Sequence, residues 1–307
     1  MFLRPIIALS VALFGLLAVT LGQGGADAGK LRVATYNLRN YLSMDRQVDG
    51  VFRRDYPKPE EEKAILSEVI LSVSPDVLVV QEIGGPQYLE ELRSDLELKG
   101  LEYEESYVLE ADDDVRKIGA LWKADVEVEA IAHTADRFNL FGTTHSIKRG
   151  LLELRVGAEG MEDLSIFALH LKSKYTTDQR DPQALQQRTK EAQAARDRIL
   201  KIYPRPDASR FLILGDLNDY RNSSPVRRFL VKGDLRISQI QEFTDADGLI
   251  WTHYYKKGGE YSLIDYILAS PGLSEGRDIV GGVQDSREYY KGSDHRLVWA
   301  DIPFQGN

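Results

Sequence analysis

One segment constrains this chain more than any other: Phe211-Leu212-Ile213-Leu214-Gly215-Asp216-Leu217-Asn218-Asp219. Four successive apolar residues read as a buried strand. A glycine follows, and polar side chains then arrive at Asp216, Asn218 and Asp219. The exposed end of a buried strand is a rigid support for groups that must be held accurately. Asp216 and Asn218 are two apart, so in extended backbone they point to the same side. A carboxylate and an amide converging there can hold a metal, orient a water or bind a phosphoryl oxygen. The same residues also suit a strand running into an Asx-type turn.

The rest of the chain supplies the elements around that strand. Leu31–Tyr36 reads as a strand with Asn37 at its end, and Val77–Val80 as a buried strand ending at Gln81-Glu82. Between them, Pro59 and the acids that follow it mark a helix start, and Ile65, Leu66, Val69 and Val73 recur at helical spacing. A second helix is expected around Tyr88–Leu96, and a long one over Asp181–Ile202. Strands are expected at Tyr103–Val108, Ile118–Trp122, Val126–Ile131, Leu151–Val156 and Leu164–Leu169, in an antiparallel meander. Further strands fall at Leu263–Ala269 and Leu297–Ile302. Helices are interspersed, yet several strands follow one another directly. That order suits an α/β fold of two packed, mixed sheets covered by helices more than a doubly wound parallel sheet. No linker composition occurs after residue 30, so one domain is expected over 29–307.

Composition narrows the function classes. Of 307 residues, 43% are hydrophobic and 28% charged, which excludes a disordered or fibrous chain. The start differs: Arg4 precedes an apolar run from Ile6 to Leu21, and Ala26-Asp27-Ala28 supplies small residues at alternate positions. That is the layout of a secretory signal peptide over 1–28, cleaved before Gly29. A secreted or periplasmic protein is therefore expected, with no stable membrane association once the leader is gone. The chain has no cysteine, so disulfides, thiolate chemistry and lipid attachment at a cysteine are excluded. The net charge is −9. A net anion does not draw nucleic acid from a distance, although a local basic groove or a bound cation reverses the sign locally.

Polar groups recur where the expected strands stop. Asn37 ends the first, Glu82 the second, His170 and Lys172 follow Leu164–Leu169, and Asp216 and Asn218 follow Phe211–Leu214. Ser293-Asp294-His295 precedes the last strand. Asp265 lies between apolar residues in Ile264-Asp265-Tyr266-Ile267. Burying that carboxylate costs several kcal/mol unless it is paired. A histidine is the natural partner, because an Asp–His pair fixes tautomer and basicity. Taken singly, each position has an ordinary structural explanation. Together they form a coherent set for metal-assisted phosphoryl chemistry.

The set also resembles a known family. Thr35-Tyr36-Asn37, Pro75 to Glu82, Gly215-Asp216-Leu217-Asn218, Ile264-Asp265-Tyr266-Ile267 and Ser293-Asp294-His295 occur in the order seen in the endonuclease/exonuclease/phosphatase superfamily. That group includes DNase I, abasic-site endonucleases, neutral sphingomyelinases and inositol-polyphosphate 5-phosphatases. The resemblance implies a four-layer α/β/β/α sandwich of the DNase I type, with the site at one edge of the two sheets. It implies a Mg²⁺-dependent phosphoester hydrolase, with Mn²⁺ or Ca²⁺ as alternatives. Glu82 would be the principal metal ligand, Asn37 would assist and Asp294 would be a further metal or water ligand. Asp216 would orient or deprotonate the attacking water, with Asn218 beside it. His295 would act on the phosphate, held by Asp265, and His170 would meet a phosphoryl or leaving oxygen.

Two departures sharpen the resemblance. His170-Leu171-Lys172-Ser173-Lys174 stands where abasic-site endonucleases carry a Tyr/Pro/Asn segment, and it looks most like bacterial extracellular nucleases. The arginine often found two positions before Asp265 is absent; Leu263 stands there. Lys172, Arg149 or Arg188 could take over its phosphate contact. The expected activity is a secreted phosphodiesterase acting on DNA or RNA as a monomer. The alternatives are a sphingomyelinase-like enzyme, a phosphatase of soluble esters, or a binding module that lost catalysis. A lipid enzyme would want an exposed apolar or aromatic loop, and Trp251-Thr252-His253-Tyr254-Tyr255 is the candidate.

Overall fold

A computed structural model describes residues 29–157, 162–285 and 288–303. The signal peptide expected over 1–28 lies outside them. In chain order the elements used below are β1 (Lys30–Tyr41), α1 (Glu60–Val73), β2 (Val77–Ile83), α2 (Pro86–Glu97), β3 (Glu105–Leu109), β4 (Lys117–Trp122), β5 (Glu127–His133), β6 (Leu151–Gly157) and β7 (Leu164–His170). They continue with α3 (Leu185–Ile202), β8 (Phe211–Asp216), α4 (Ser224–Leu230), β9 (Gln239–Ile240), β10 (His253–Tyr255), β11 (Glu260–Ser262), β12 (Asp265–Ala269), β13 (Val280–Val283), α5 (Tyr289–Gly292) and β14 (Val298–Pro303).

Two six-stranded sheets form the frame, in the orders β13-β14-β1-β2-β4-β3 and β9-β12-β8-β7-β6-β5. Each has one parallel pair at its centre, β1 with β2 and β7 with β8. A parallel pair needs a crossover, and α1 and α3 supply them. The remaining neighbours are antiparallel, which makes both sheets mixed.

Side-chain alternation explains the layering. On β2, Val77 and Val79 face a core shared with Leu212 and Leu214 of β8, between the two sheets. Leu78 and Val80 face outward onto Leu66, Val69 and Ile70 of α1. On β8, Phe211 and Ile213 pack outward against Ala192, Ala195 and Ile199 of α3. Strands buried on both faces read as unbroken apolar runs, and the layers are α/β/β/α as the sequence implied.

Several boundaries differ from expectation. The first strand runs on past Asn37 to Tyr41. The meander expected between 103 and 170 is divided, because the chain changes sheets between Trp122 and Glu127. α3 starts at Leu185 rather than Asp181, whose carboxylate instead accepts hydrogen bonds from the backbone N–H groups of Gln186 (3.1 Å) and Gln187 (2.9 Å). Small hairpins at Met44–Val48 with Val51–Tyr56, and Arg137–Leu140 with Thr143–Ser146, carry no clear hydrophobic alternation and were not foreseen.

Candidate active site

Strand register sets three side chains in a row. His170, last in β7, is the register partner of Asp216, last in β8, and Asp216 is the partner of Asp265, first in β12. All three are buried. After Asp216 the chain turns. Asn218 has φ +53°, its N–H donates to Asp216 Oδ1 (2.8 Å), and its amide donates to Asp216 Oδ2 (3.1 Å) and the Leu171 carbonyl (3.0 Å). The two readings of this segment are therefore one structure. An Asx turn brings the amide onto the carboxylate, in left-handed rather than extended backbone.

The other sheet closes the site from the opposite side. The Asn37 amide donates to Asp216 Oδ2 (3.1 Å), while its Oδ1 accepts from the Arg39 N–H (3.0 Å). Ser293 Oγ donates to the Asn37 carbonyl (2.7 Å) and accepts from the His295 N–H (3.0 Å). His295 Nδ1 lies 2.9 and 3.1 Å from the two oxygens of Asp265, and its Nε2 lies 3.9 Å from Asp216 Oδ2. The buried Asp265 thus has the histidine partner its surroundings demanded. Glu82 stands at φ +58° where the β2–β4 register slips between Gln81 and Ile83. Such bulges re-aim side chains. Here the irregularity leaves Glu82 Oε1 4.0 Å from His170 Nε2, with Oε2 accepting from the Asn40 N–H (3.0 Å).

Burial and charge tune these groups differently. Burial and the neighbouring Asp265 charge push Asp216 up to about 7, against the pull of His295 and the Asn218 N–H. Burial alone would lower His295, but the charge and hydrogen bond of Asp265, with Asp216 and Asp294 behind them, hold it up at about 10. His170 moves the other way, well below the usual histidine range, through burial and the charges of Arg149, His295, Arg116 and Lys172. His295 is thereby kept cationic and His170 neutral at pH 7.

These residues suit a hard divalent cation. Asp216, Asp265 and His295 offer donor atoms within 4.8 Å of one another, among the described residues. Within that group Asp265 and His295 already satisfy each other, which leaves Asp216, with Glu82 and Asn37 beside it, as the further oxygen donors, each already accepting at least one N–H. Two adjacent buried carboxylates concentrate negative charge that a cation would relieve, and the donors are oxygen and imidazole without sulfur. Asp294 lies further out, 3.7 Å from Arg39 Nε and part-exposed.

The expected cations behave differently. Arg188 donates to Asp219 (2.9 Å) and to the Lys172 and Gln183 carbonyls, and is 1% exposed. Arg149 is spent on Asp113 (3.1 Å) and the Leu171 carbonyl. Both are buried rather than surface charges, and both brace the loop after β7. Lys172 caps the carbonyls of Ser173 and Tyr175 at the part-exposed mouth of that loop.

Two positioning residues were missed. Ser293 opens the Ser293-Asp294-His295 motif, where only its two neighbours carry a chemical signal in the sequence. Buried Thr252 accepts from the N–H groups of Ile264 (3.1 Å) and Asp265 (3.0 Å), fixing the start of β12. Thr252→Val should orphan both donors, cost about 1–3 kcal/mol in urea unfolding, and reduce turnover more than KM. An unchanged midpoint would reject this role.

The fold is thus a two-sheet sandwich with a cluster of buried carboxylate, amide and imidazole groups where the central strands of both sheets end. The sequence profile of the Endonuclease/Exonuclease/phosphatase family matches residues 34–295, and the chain belongs to that family. No curated protein sequence matches it. Among solved structures it is similar to the human Nocturnin catalytic domain with bound sulfate (16% identity, 90% of this chain and 95% of that chain, TM-score 0.62). It is also similar to an endonuclease/exonuclease/phosphatase from Bacteroides vulgatus (15%, 90% and 99%, TM-score 0.62) and to D. rerio TDP2 complexed with a single-strand DNA product (18%, 89% and 98%, TM-score 0.56). Such identities speak for the fold. The family is one of phosphoester hydrolases that generally use divalent metals.

Proposed function

We propose that this protein is a secreted, divalent-metal-dependent phosphodiesterase that cuts DNA or RNA by attack of water on phosphorus. The observation that carries the reading is the convergence of both sheets on one point. His170, Asp216 and Asp265 arrive in register from one sheet, and Asn37 and Glu82 arrive from the other. Glu82, with Asn37 assisting and Asp294 at the rim, would hold the cation, Mg²⁺ by preference. When bound, it supplies charge neutralisation at the phosphoryl oxygens.

The chain's own groups supply the rest. Asp216, raised toward neutral pH, is suited to take the proton of the attacking water. Asn218 and Asn37 fix its carboxylate from two sides. Cationic His295 donates to the phosphate, and Asp265 holds its ring and charge in place. Neutral His170 presents Nε2 between Asp216 (3.6 Å) and Glu82, suited to a phosphoryl or leaving oxygen. The similarity to TDP2 in complex with a DNA product supports a nucleic acid as substrate. Among the described residues no helix is long and apolar enough to cross a membrane.

The test is a panel of plasmid DNA, RNA, sphingomyelin and bis(4-nitrophenyl) phosphate, with Mg²⁺ or with chelator. Hydrolysis of nucleic acid that chelator stops and Mg²⁺ restores is the expected result, with Glu82→Ala needing about 10–100-fold more metal. Turnover of sphingomyelin alone would favour the lipid enzyme, and no turnover with any metal would leave a binding module. N-terminal sequencing of protein exported by the native host should begin at Gly29.

A further inference from the structure

Beside the reacting groups lies an open cavity of about 640 Å³, within the size range of small-molecule sites of roughly 300–1,000 Å³. The β10–β11 hairpin forms one wall. That hairpin is stitched to the active-site segment: the Tyr254 N–H donates to the Asp294 carbonyl (2.9 Å), and His253 bridges His295 with ring centroids 4.7 Å apart. Whatever occupies the cavity therefore sits next to a phosphate held by His295.

The lining has a definite chemistry. Tyr254 and Tyr261, register partners on the hairpin, stack with centroids 4.6 Å apart, and Tyr261 also meets Trp251 at 4.8 Å. Tyr255, next on the strand and so on the other face of the hairpin from that stack, lines the cavity and is 49% exposed. Lys256, Lys257 and Arg39 add positive charge, against one lining carboxylate, Asp294. In a chain of net charge −9 this is a local reversal of sign. The lining carries no aliphatic side chain that would sink into the hydrocarbon of a lipid. Exposed tyrosine faces beside cations match a planar base joined to a phosphate. In a duplex the base faces are already stacked, so a ring-lined cavity selects unpaired bases.

Resting on the nuclease reading above, we infer that this cavity is the subsite for the nucleotide next to the cleaved bond in a single-stranded nucleic acid. Its base stacks on the ring of Tyr255, and its outer phosphate is met by Lys256, Lys257 and Arg39.

The test compares wild type, Tyr255→Ala, Tyr255→Phe and the double variant Lys256→Ala/Lys257→Ala. Substrates are a single-stranded DNA oligonucleotide, its duplex, and bis(4-nitrophenyl) phosphate, which is too small to span site and cavity. Tyr255→Ala should raise KM for the single strand about tenfold or more, and Tyr255→Phe should restore it. The double lysine variant should raise the same KM and flatten its dependence on log salt by up to about 0.7, the share of one phosphate contact on a single strand. Turnover of the bis-ester should not change in any variant. Cleavage of the oligonucleotide with unaltered KM and salt slope in both variants overturns the subsite while sparing the nuclease. Bis-ester turnover by wild type with no nucleic acid cut rejects the nuclease itself, and the subsite with it.

Discussion

His295→Ala is expected to lower turnover of a phosphodiester by about 10²–10⁴-fold, the usual contribution of a positioned proton donor or acceptor. The imidazole is 7% exposed and bonded to Asp265, so nothing in the described site replaces it. The alanine variant also leaves Asp265 buried without its partner, a change worth about 3–5 kcal/mol in typical buried pairs. Loss of activity must therefore be separated from loss of fold. Asp265→Asn does this: an amide still meets Nδ1, but the charge that holds His295 cationic is gone. In that variant the alkaline limb of the pH–rate profile should fall about one to three pH units below that of wild type. The sign follows from the direction of the shift. His295 is raised to about 10 by Asp265, so its working cationic form persists until the pH passes that value, and without Asp265 it is lost earlier. Circular dichroism should report a folded protein. If the two residues act as one unit, the double variant should be no slower than His295→Ala alone. Full activity in Asp265→Asn, or an unmoved alkaline limb, would refute the pair.

What the sequence revealed depended on the distance over which each residue's role is decided. Val77–Val80 and Phe211–Leu214 were legible as central strands because burial on both faces forces an unbroken apolar run. Asp265 was legible because a carboxylate among Ile264, Tyr266 and Ile267 has few tolerable explanations. The burial and pairing of Arg149 and Arg188 were not legible, because their partners lie 36 and 31 residues away, at Asp113 and Asp219. Nothing local distinguishes a braced arginine from a free one. Glu82 was read as a strand end, whereas it sits inside β2 at a bulge that only the register with β4 reveals. The segment at Trp251–Tyr255 was weighed as a membrane contact. Its position beside His295 follows from a pairing of β10 with residues far along the chain, which periodicity does not report.

Gly215→Ala should be the most damaging backbone change, costing at least about 3 kcal/mol and most of the activity together. The reason lies in the strand pair that carries the site. Gly215 is the register partner of Leu169 and has φ +125°, a conformation that side chains rarely adopt. A Cβ there would stand 2.0 Å from the Leu169 carbonyl oxygen, a backbone atom that cannot swing aside. Relief requires β7 and β8 to part at the point where His170 and Asp216 come into register and where the Leu171 N–H reaches the Asp216 carbonyl (3.0 Å). Stability and chemistry are thus coupled through one missing methyl group. Gly157→Ala is the control, since its added Cβ meets nothing within 4 Å among the described residues and should stay within about 0.5 kcal/mol of wild type. Urea midpoints and initial rates on bis(4-nitrophenyl) phosphate measure both effects. A Gly215→Ala protein with the wild-type midpoint and rate would show that the glycine is not what sets the close approach of the two strands, and that the row His170, Asp216, Asp265 is held by other contacts.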